Sequence, residues 1–180
     1  MRQEDRWIDF LSGQDLDHRG RTIERIWAFS DRALEDSHDY IQWLFPLREA
    51  SPVNPYAPRL DDFRVGVVRG DPALHARMIT SLDVMLRFYG FVRRVDEGGV
   101  SVVIDEDRFD RRTADWVRPM NHNFLRITRI LRCLTEVGCE AEARAFHAAL
   151  SIPIEVYPEV ISERTQDFWR HAVEDALPTR

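Results

Sequence analysis

The chain has 180 residues, 44% of them hydrophobic, with ten Phe, five Trp and four Tyr. That suits one domain, or one domain with an appended helix, around a real core. Acidic residues outnumber basic ones, 31 to 25, which argues against a duplex-DNA or anionic-membrane binder with its basic field. No stretch approaches the ~20 apolar residues of a membrane span. The charged start, Met1-Arg2-Gln3-Glu4-Asp5, lacks a signal peptide's apolar run. A soluble, cytoplasmic protein is expected. Cys133 and Cys139 form no CxxC, so neither a disulfide framework nor a zinc knuckle is indicated. Every basic residue is Arg, which we read as codon usage in a GC-rich genome.

In chain order, residues 4–11 suit a short helix that Gly13 ends, followed by a polar loop, Asp15-Leu16-Asp17-His18-Arg19-Gly20-Arg21. Thr22 caps a helix carrying Ile23, Ile26, Trp27 and Phe29, and Ser30 caps the next. That next helix should span 31–45 and stop before Pro46. At about 100° per residue, Leu34, Tyr40, Ile41, Trp43, Leu44 and Phe45 cover more than half its girth. Glu35, Asp39 and Gln42 form the polar strip, and His38 falls within the apolar arc. Such a helix should be central and buried.

A proline-rich strap follows, with Val53, Tyr56 and Leu60 placed to pack on the core. Leu60 to Val68 is a weak helix. Asp71-Pro72 starts a long one that Gly90 stops. Its residues Leu74, Met78, Leu82, Met85 and Tyr89 form a core stripe. Residues 91–105 are β-branched around an Asp96-Glu97-Gly98-Gly99 turn and predict one hairpin. Helices are expected over 107–117, from Asn121 to Gly138, over 140–150 and from about 159 to 176, with a proline-bounded strap over 152–158. The expected fold is mainly α: a single-domain multi-helix bundle of seven or eight helices with one minor β-hairpin. We place the domain at 1–155 and a C-terminal helix, packed on it or projecting, at 156–180.

Two runs carry a family resemblance. One is Leu34-Glu35 with His38-Asp39-Tyr40-Ile41-Gln42-Trp43-Leu44-Phe45-Pro46-Leu47, then Ser51, Asn54-Pro55 and Ala57-Pro58. The other runs from Asn121-His122-Asn123-Phe124 to Leu134. Asp17-His18-Arg19-Gly20-Arg21 and Leu86-Arg87-Phe88-Tyr89-Gly90 agree too. Over roughly residues 7–150 the chain resembles the conserved domain of the opioid growth factor receptor family, as a stand-alone, bacterial member. Vertebrate members are named for binding an enkephalin-type pentapeptide and are linked to the nucleus. The resemblance therefore implies a peptide- or ligand-binding interaction domain, and it transfers no catalytic residue. The vertebrate members' long acidic tail and a Lys/Arg import cluster are not matched here.

The candidate binding residues lie in the two long runs: His38, Asp39, Tyr40, Gln42 and Trp43 in one, Asn121, His122, Asn123, Arg126 and Arg129 in the other. Imidazole can act as base or ligand. Guanidinium, here also Arg19, Arg21 and Arg132, suits a carboxylate or phosphate. The competing readings are hydrogen-bonded core histidines, Arg paired with acids, an Asn121 helix cap, and core packing of Tyr40, Trp43, Tyr56, Phe88 and Tyr89. A small peptide or anionic small molecule is the expected partner, and nucleic acid is not. An enzyme using a His38/His122 pocket and a nucleic-acid accessory protein are the alternatives. Polar groups buried in both runs are expected to pair, bringing the edge of the 31–45 helix near the start of the 121–137 helix. No cofactor is expected, and no metal, because no HxxH or HExxH spacing occurs.

Overall fold

The computed structural model describes residues 5–174. It is mainly α-helical, with a single two-stranded antiparallel hairpin among the described residues. The chain divides into two compact units, the first ending at Ser81 and the second beginning at Leu82. None of the described helices is long and apolar enough to cross a membrane.

The first unit opens with α1 (Arg6–Ser12), capped by the Asp5 carboxylate and ended by Gly13 in the left-handed region, φ +83°. Thr22 and Ser30 cap α2 (Ile23–Trp27) and α3 (Asp31–Asp36) through their side chains, as the sequence predicts. The helix expected over 31–45 does not form as one piece. It breaks at Ser37, whose backbone is extended, and resumes as the single turn α4 (Ile41–Leu44). Two tethers hold the break open. Tyr40 donates its hydroxyl hydrogen to the Leu34 carbonyl at 3.0 Å, and Asp39 is drawn to the arginines of the 15–21 loop. Tertiary partners here outweigh helix propensity, which is a weak determinant.

The apolar residues of this segment are nonetheless buried: Leu34, Tyr40, Ile41, Trp43, Leu44 and Phe45 are all at most 3% exposed. His38 is corrected from the apolar arc to the surface, and Gln42 from the polar strip to the interior. In the strap, Leu60 packs down, while Val53 and Tyr56 are exposed. Then come α5 (Asp62–Gly70), capped by Asp61, and α6 (Pro72–Tyr89), whose first turn donates two backbone N–H groups to Asp71. Arg77 of α6 lies 4.8 Å from the Trp27 ring centroid and donates to the Leu11 carbonyl and the Glu24 carboxylate.

The second unit takes over the C-terminal part of α6. Leu82, Met85 and Tyr89 are fully buried there, as Leu74 and Met78 are buried in the first unit. Gly90 turns the chain at φ +88°, and a Cβ there would lie 2.8 Å from the Phe109 Cα, so only glycine fits. Strands β1 (Phe91–Asp96) and β2 (Gly99–Ile104) pair in the register Phe91↔Ile104 to Asp96↔Gly99. Phe91 and Val102 face the core, and Arg93 beside them makes a two-pronged pair with Asp83, 2.8 Å at each nitrogen.

After α7 (Phe109–Trp116) come α8 (Asn123–Glu136), α9 (Glu140–Ala149), α10 (Ser151–Val156) and α11 (Glu163–Glu174). Residues 152–158, read from the sequence as a strap, overlap α10, which runs from Ser151 to Val156. Pro153 sits in its first turn, where a missing N–H costs no helix hydrogen bond. The helix predicted to reach 176 ends, within the described residues, at Glu174, and Ala176 lies outside them. Helix α11 packs on α8 and α9. Trp169 donates to the Phe124 carbonyl at 3.1 Å, and Thr135 donates to the Ala172 carbonyl at 3.1 Å.

Candidate functional site

In the first unit, three segments converge on a cleft of about 520 Å³ lined by His18, Arg19, His38, Asp39, Gln42, Val53, Asn54, Pro55 and Tyr56. The 15–21 loop is built on Asp17, which is 2% exposed. Its carboxylate accepts the backbone N–H groups of Arg19 at 2.8 Å and Arg21 at 2.9 Å, and the Arg21 guanidinium at 2.6 Å. A buried carboxylate satisfied this fully holds a loop firmly. The same Arg21 reaches Asp39 at 2.9 Å and so ties the loop to the broken helix.

Asp39 is the hub. Its other oxygen takes Arg19 Nε at 2.9 Å and lies 3.4 Å from His18 Nε2. Burial alone would raise the Asp39 carboxyl. The hydrogen bond and charge of Arg21, with Arg19 and His18, outweigh that and hold it below the usual 3.8.

His18 is stacked between two rings, Trp43 at 6.0 Å and 13° and Tyr56 at 5.6 Å and 15°. Its side chain is 11% exposed. Buried Trp43 lies behind it, edge-on to Phe10 at 5.1 Å, and exposed Tyr56 lies in front. Tyr56 is set by the strap. Asn54 donates to the buried Gln42 carbonyl oxygen at 3.2 Å, and its own side-chain oxygen accepts the Tyr56 N–H at 3.1 Å.

Of the sequence-predicted residues in the first run, the structure brings His38, Asp39 and Gln42 to this cleft. It puts Trp43 behind the cleft and Tyr40 in the core. Arg19 and Arg21, candidates for an external anion, hold Asp39 and Asp17 instead. His18 and Asn54 escaped the sequence-based site list. Their signals were the acid-flanked Asp17-His18-Arg19-Gly20-Arg21 loop and the Asn54-Pro55 pair, both read there only as matching segments.

The other five candidates belong to the second unit. The side-chain oxygen of Asn121 accepts the N–H of Asn123 at 2.8 Å and its side-chain amide at 2.9 Å, so it braces the turn leading into α8, whose cap position is held by His122 and not by Asn121 as the sequence suggested. Asn123 is fully buried and accepts from Arg126 at 3.3 Å and from the Tyr89 hydroxyl at 3.5 Å. Arg126 is 5% exposed, whereas the sequence placed it on the flank. His122 and Arg129 are half-buried. His38 lies in the first unit and His122 in the second. A further cleft of about 440 Å³ in the second unit is lined by residues of α9 to α11, among them His147, Ser151, Asp167 and Arg170. Burial lowers the His147 pKa there, against the opposing charge of Glu174. Among the described residues, no group of three or more His, Cys, Asp or Glu is placed to hold a metal ion.

The family described as the opioid growth factor receptor conserved region matches residues 17–174. The chain is 39% identical over 120 residues to the opioid growth factor receptor of Homo sapiens, covering 66% of this chain and 17% of that protein. It is 38% identical over 124 residues to the receptor of Rattus norvegicus, covering 67% and 21%. It is 37% identical over 125 residues to the opioid growth factor receptor-like protein 1 of Xenopus tropicalis, covering 67% and 23%. The chain thus spans about a fifth of the length of these relatives. No solved structure matches it.

Proposed function

The chain belongs to the family of the opioid growth factor receptor conserved region, and on that premise we propose that it is a ligand-binding domain whose first-unit cleft takes a short peptide. The relatives are named as receptors of a growth factor, and a peptide ligand for this chain follows that name. The observation that carries the reading is the cleft itself. Three segments, each inside the family match, bring His18, Arg19, His38, Asp39, Asn54 and Tyr56 to one opening. Its volume falls in the range of ligand sites, with a few placed polar groups on an aromatic floor. Asp17 and Arg21 fix the floor in advance, which lowers the ordering cost of binding.

Chemical-shift mapping on isotope-labelled full chain tests this with an enkephalin-type pentapeptide. The expected result is saturable shifts at His18, His38, Asn54 and Tyr56. Shifts confined to the second unit, or none, contradict it.

A further inference from the structure

Two side-chain amides line the first-unit cleft, Gln42 and Asn54, and the backbone sets how both are turned. The Tyr56 N–H can only donate, so the Asn54 atom that meets it at 3.1 Å is the side-chain oxygen. The Asn54 nitrogen is then the atom that reaches Gln42, and the Gln42 atom that accepts from it at 3.2 Å is again the oxygen. This chain settles which end of each amide is which, a choice that otherwise depends on the hydrogen-bond network. It leaves the Gln42 NH2 as the unspent end. Nothing among the described residues accepts from that NH2. Gln42 is 5% exposed. Its nitrogen is nonetheless not sealed without a partner, as His18 Nδ1 and Trp43 Nε1 are. Native proteins keep buried amide donors paired, and here only water or a ligand in the cleft can accept from this one.

The rest of the cleft has the same bias. Asp39 is the one carboxylate that lines it. It already accepts from Arg21 and Arg19 at 2.9 Å each and lies 3.4 Å from His18 Nε2. The side-chain oxygens of Asn54 and Gln42 are in use as well. Arg19 spends only its side-chain Nε, and its terminal N–H groups have no acceptor among the described residues.

We propose that the cleft binds the carboxylate end of a peptide, with Gln42 Nε2 as the buried donor and Arg19 as the cation of the site. This rests on the peptide reading above and adds which end of the peptide is held. A carboxylate only accepts, so the spare donors suit it. A carboxamide brings hydrogens of its own, and the amide and carboxylate oxygens of the cleft are taken. Hydrogen bonds to a charged group are roughly twice as strong as neutral ones, and Arg19 acts on a charge across the cleft without touching it.

The test uses one enkephalin-type pentapeptide in two forms, free C-terminal carboxylate and C-terminal carboxamide, titrated into isotope-labelled full chain. The side-chain N–H signals of Gln42 report on the donor directly. The free acid should bind at least about tenfold tighter, the equivalent of one hydrogen bond to a charged group, and should move the Gln42 signals. Gln42→Glu keeps an oxygen for Asn54 and replaces the donor by an acceptor. It should abolish the preference for the acid. If Gln42→Glu does not fold, Arg19→Gln takes its place at an exposed position: it should lower the preference, and an unchanged preference overturns the assignment.

Equal affinity for the two forms, or a preference for the carboxamide, overturns the carboxylate assignment and leaves the peptide reading standing. A tenfold preference that survives in folded Gln42→Glu overturns the role of Gln42. If neither form binds, the peptide reading fails and butyrate against butyramide judges the site by itself. Gln42 signals moved by butyrate alone keep the carboxylate assignment, and any other result ends it.

Discussion

The cleft of the first unit and the start of α8 in the second are made from the same parts: a short acid or amide, arginine and large rings. They differ in burial. Asn123 is fully buried and Arg126 5% exposed, and hydrogen bonds join Asn121, Asn123, Arg126 and Tyr89. Asp39 has 22% of its side chain exposed and Arg19 66%, and the stack beside them keeps two nitrogens without partners. A buried hydrogen-bonded network locks helices together. A half-open one with orphaned atoms can exchange partners with a ligand. Residue type alone does not separate the two cases.

The largest expected effect removes the ring that backs the cleft. Trp43→Ala deletes a ring 2% exposed and packed edge-on to Phe10. It should cost about 3–5 kcal/mol in chemical denaturation. A loss below about 1 kcal/mol would place Trp43 outside the core and dissolve the distinction between core and opening.

The buried cluster gives the next effect. Asn123→Ala removes an acceptor that buried Arg126 and the Tyr89 hydroxyl share. It should cost about 1–3 kcal/mol, read from the same denaturation curves. A neutral outcome would mean that the α8 cluster is not a lock.

The smallest is a pH effect at the hub. The Asp39 carboxyl is lowered in the folded state. Its contribution to stability is therefore fully present above the ordinary value of 3.8 and lost as pH falls through the lower folded value. Asp39→Asn should flatten this part of the acid limb below about pH 4. An unchanged acid limb in the variant would show that Arg21 and Arg19 hold Asp39 only weakly.

Local signals made most of the fold legible. Asp5, Thr22, Ser30, Asp61 and Asp71 cap their helices through side-chain oxygens, and Gly13 and Gly90 take the left-handed turns that stop them. The hairpin follows from its β-branched run and paired glycines. The misread places were decided at a distance. The 31–45 stretch has a helical apolar period, yet contacts from Asp39 to Arg19 and Arg21, some twenty residues away in sequence, open it at Ser37. Pro153 reads as a breaker until it falls in a first turn. The candidate site was half legible. His38, Asp39 and Gln42 stand in a run dense with polar groups, whereas His18 becomes a site residue only once the rings of Trp43 and Tyr56 enclose it.

Measuring pentapeptide affinity and unfolding free energy side by side for His38→Ala and Asn123→Ala tests the division between site and lock most directly. His38 is exposed at the cleft, so its loss should weaken binding at least tenfold and cost under about 0.5 kcal/mol of stability, as for surface changes. Asn123→Ala should lower stability and leave affinity within about twofold under conditions where the protein remains folded. The reverse pattern, with His38→Ala destabilising and Asn123→Ala abolishing binding in a folded protein, would contradict the account.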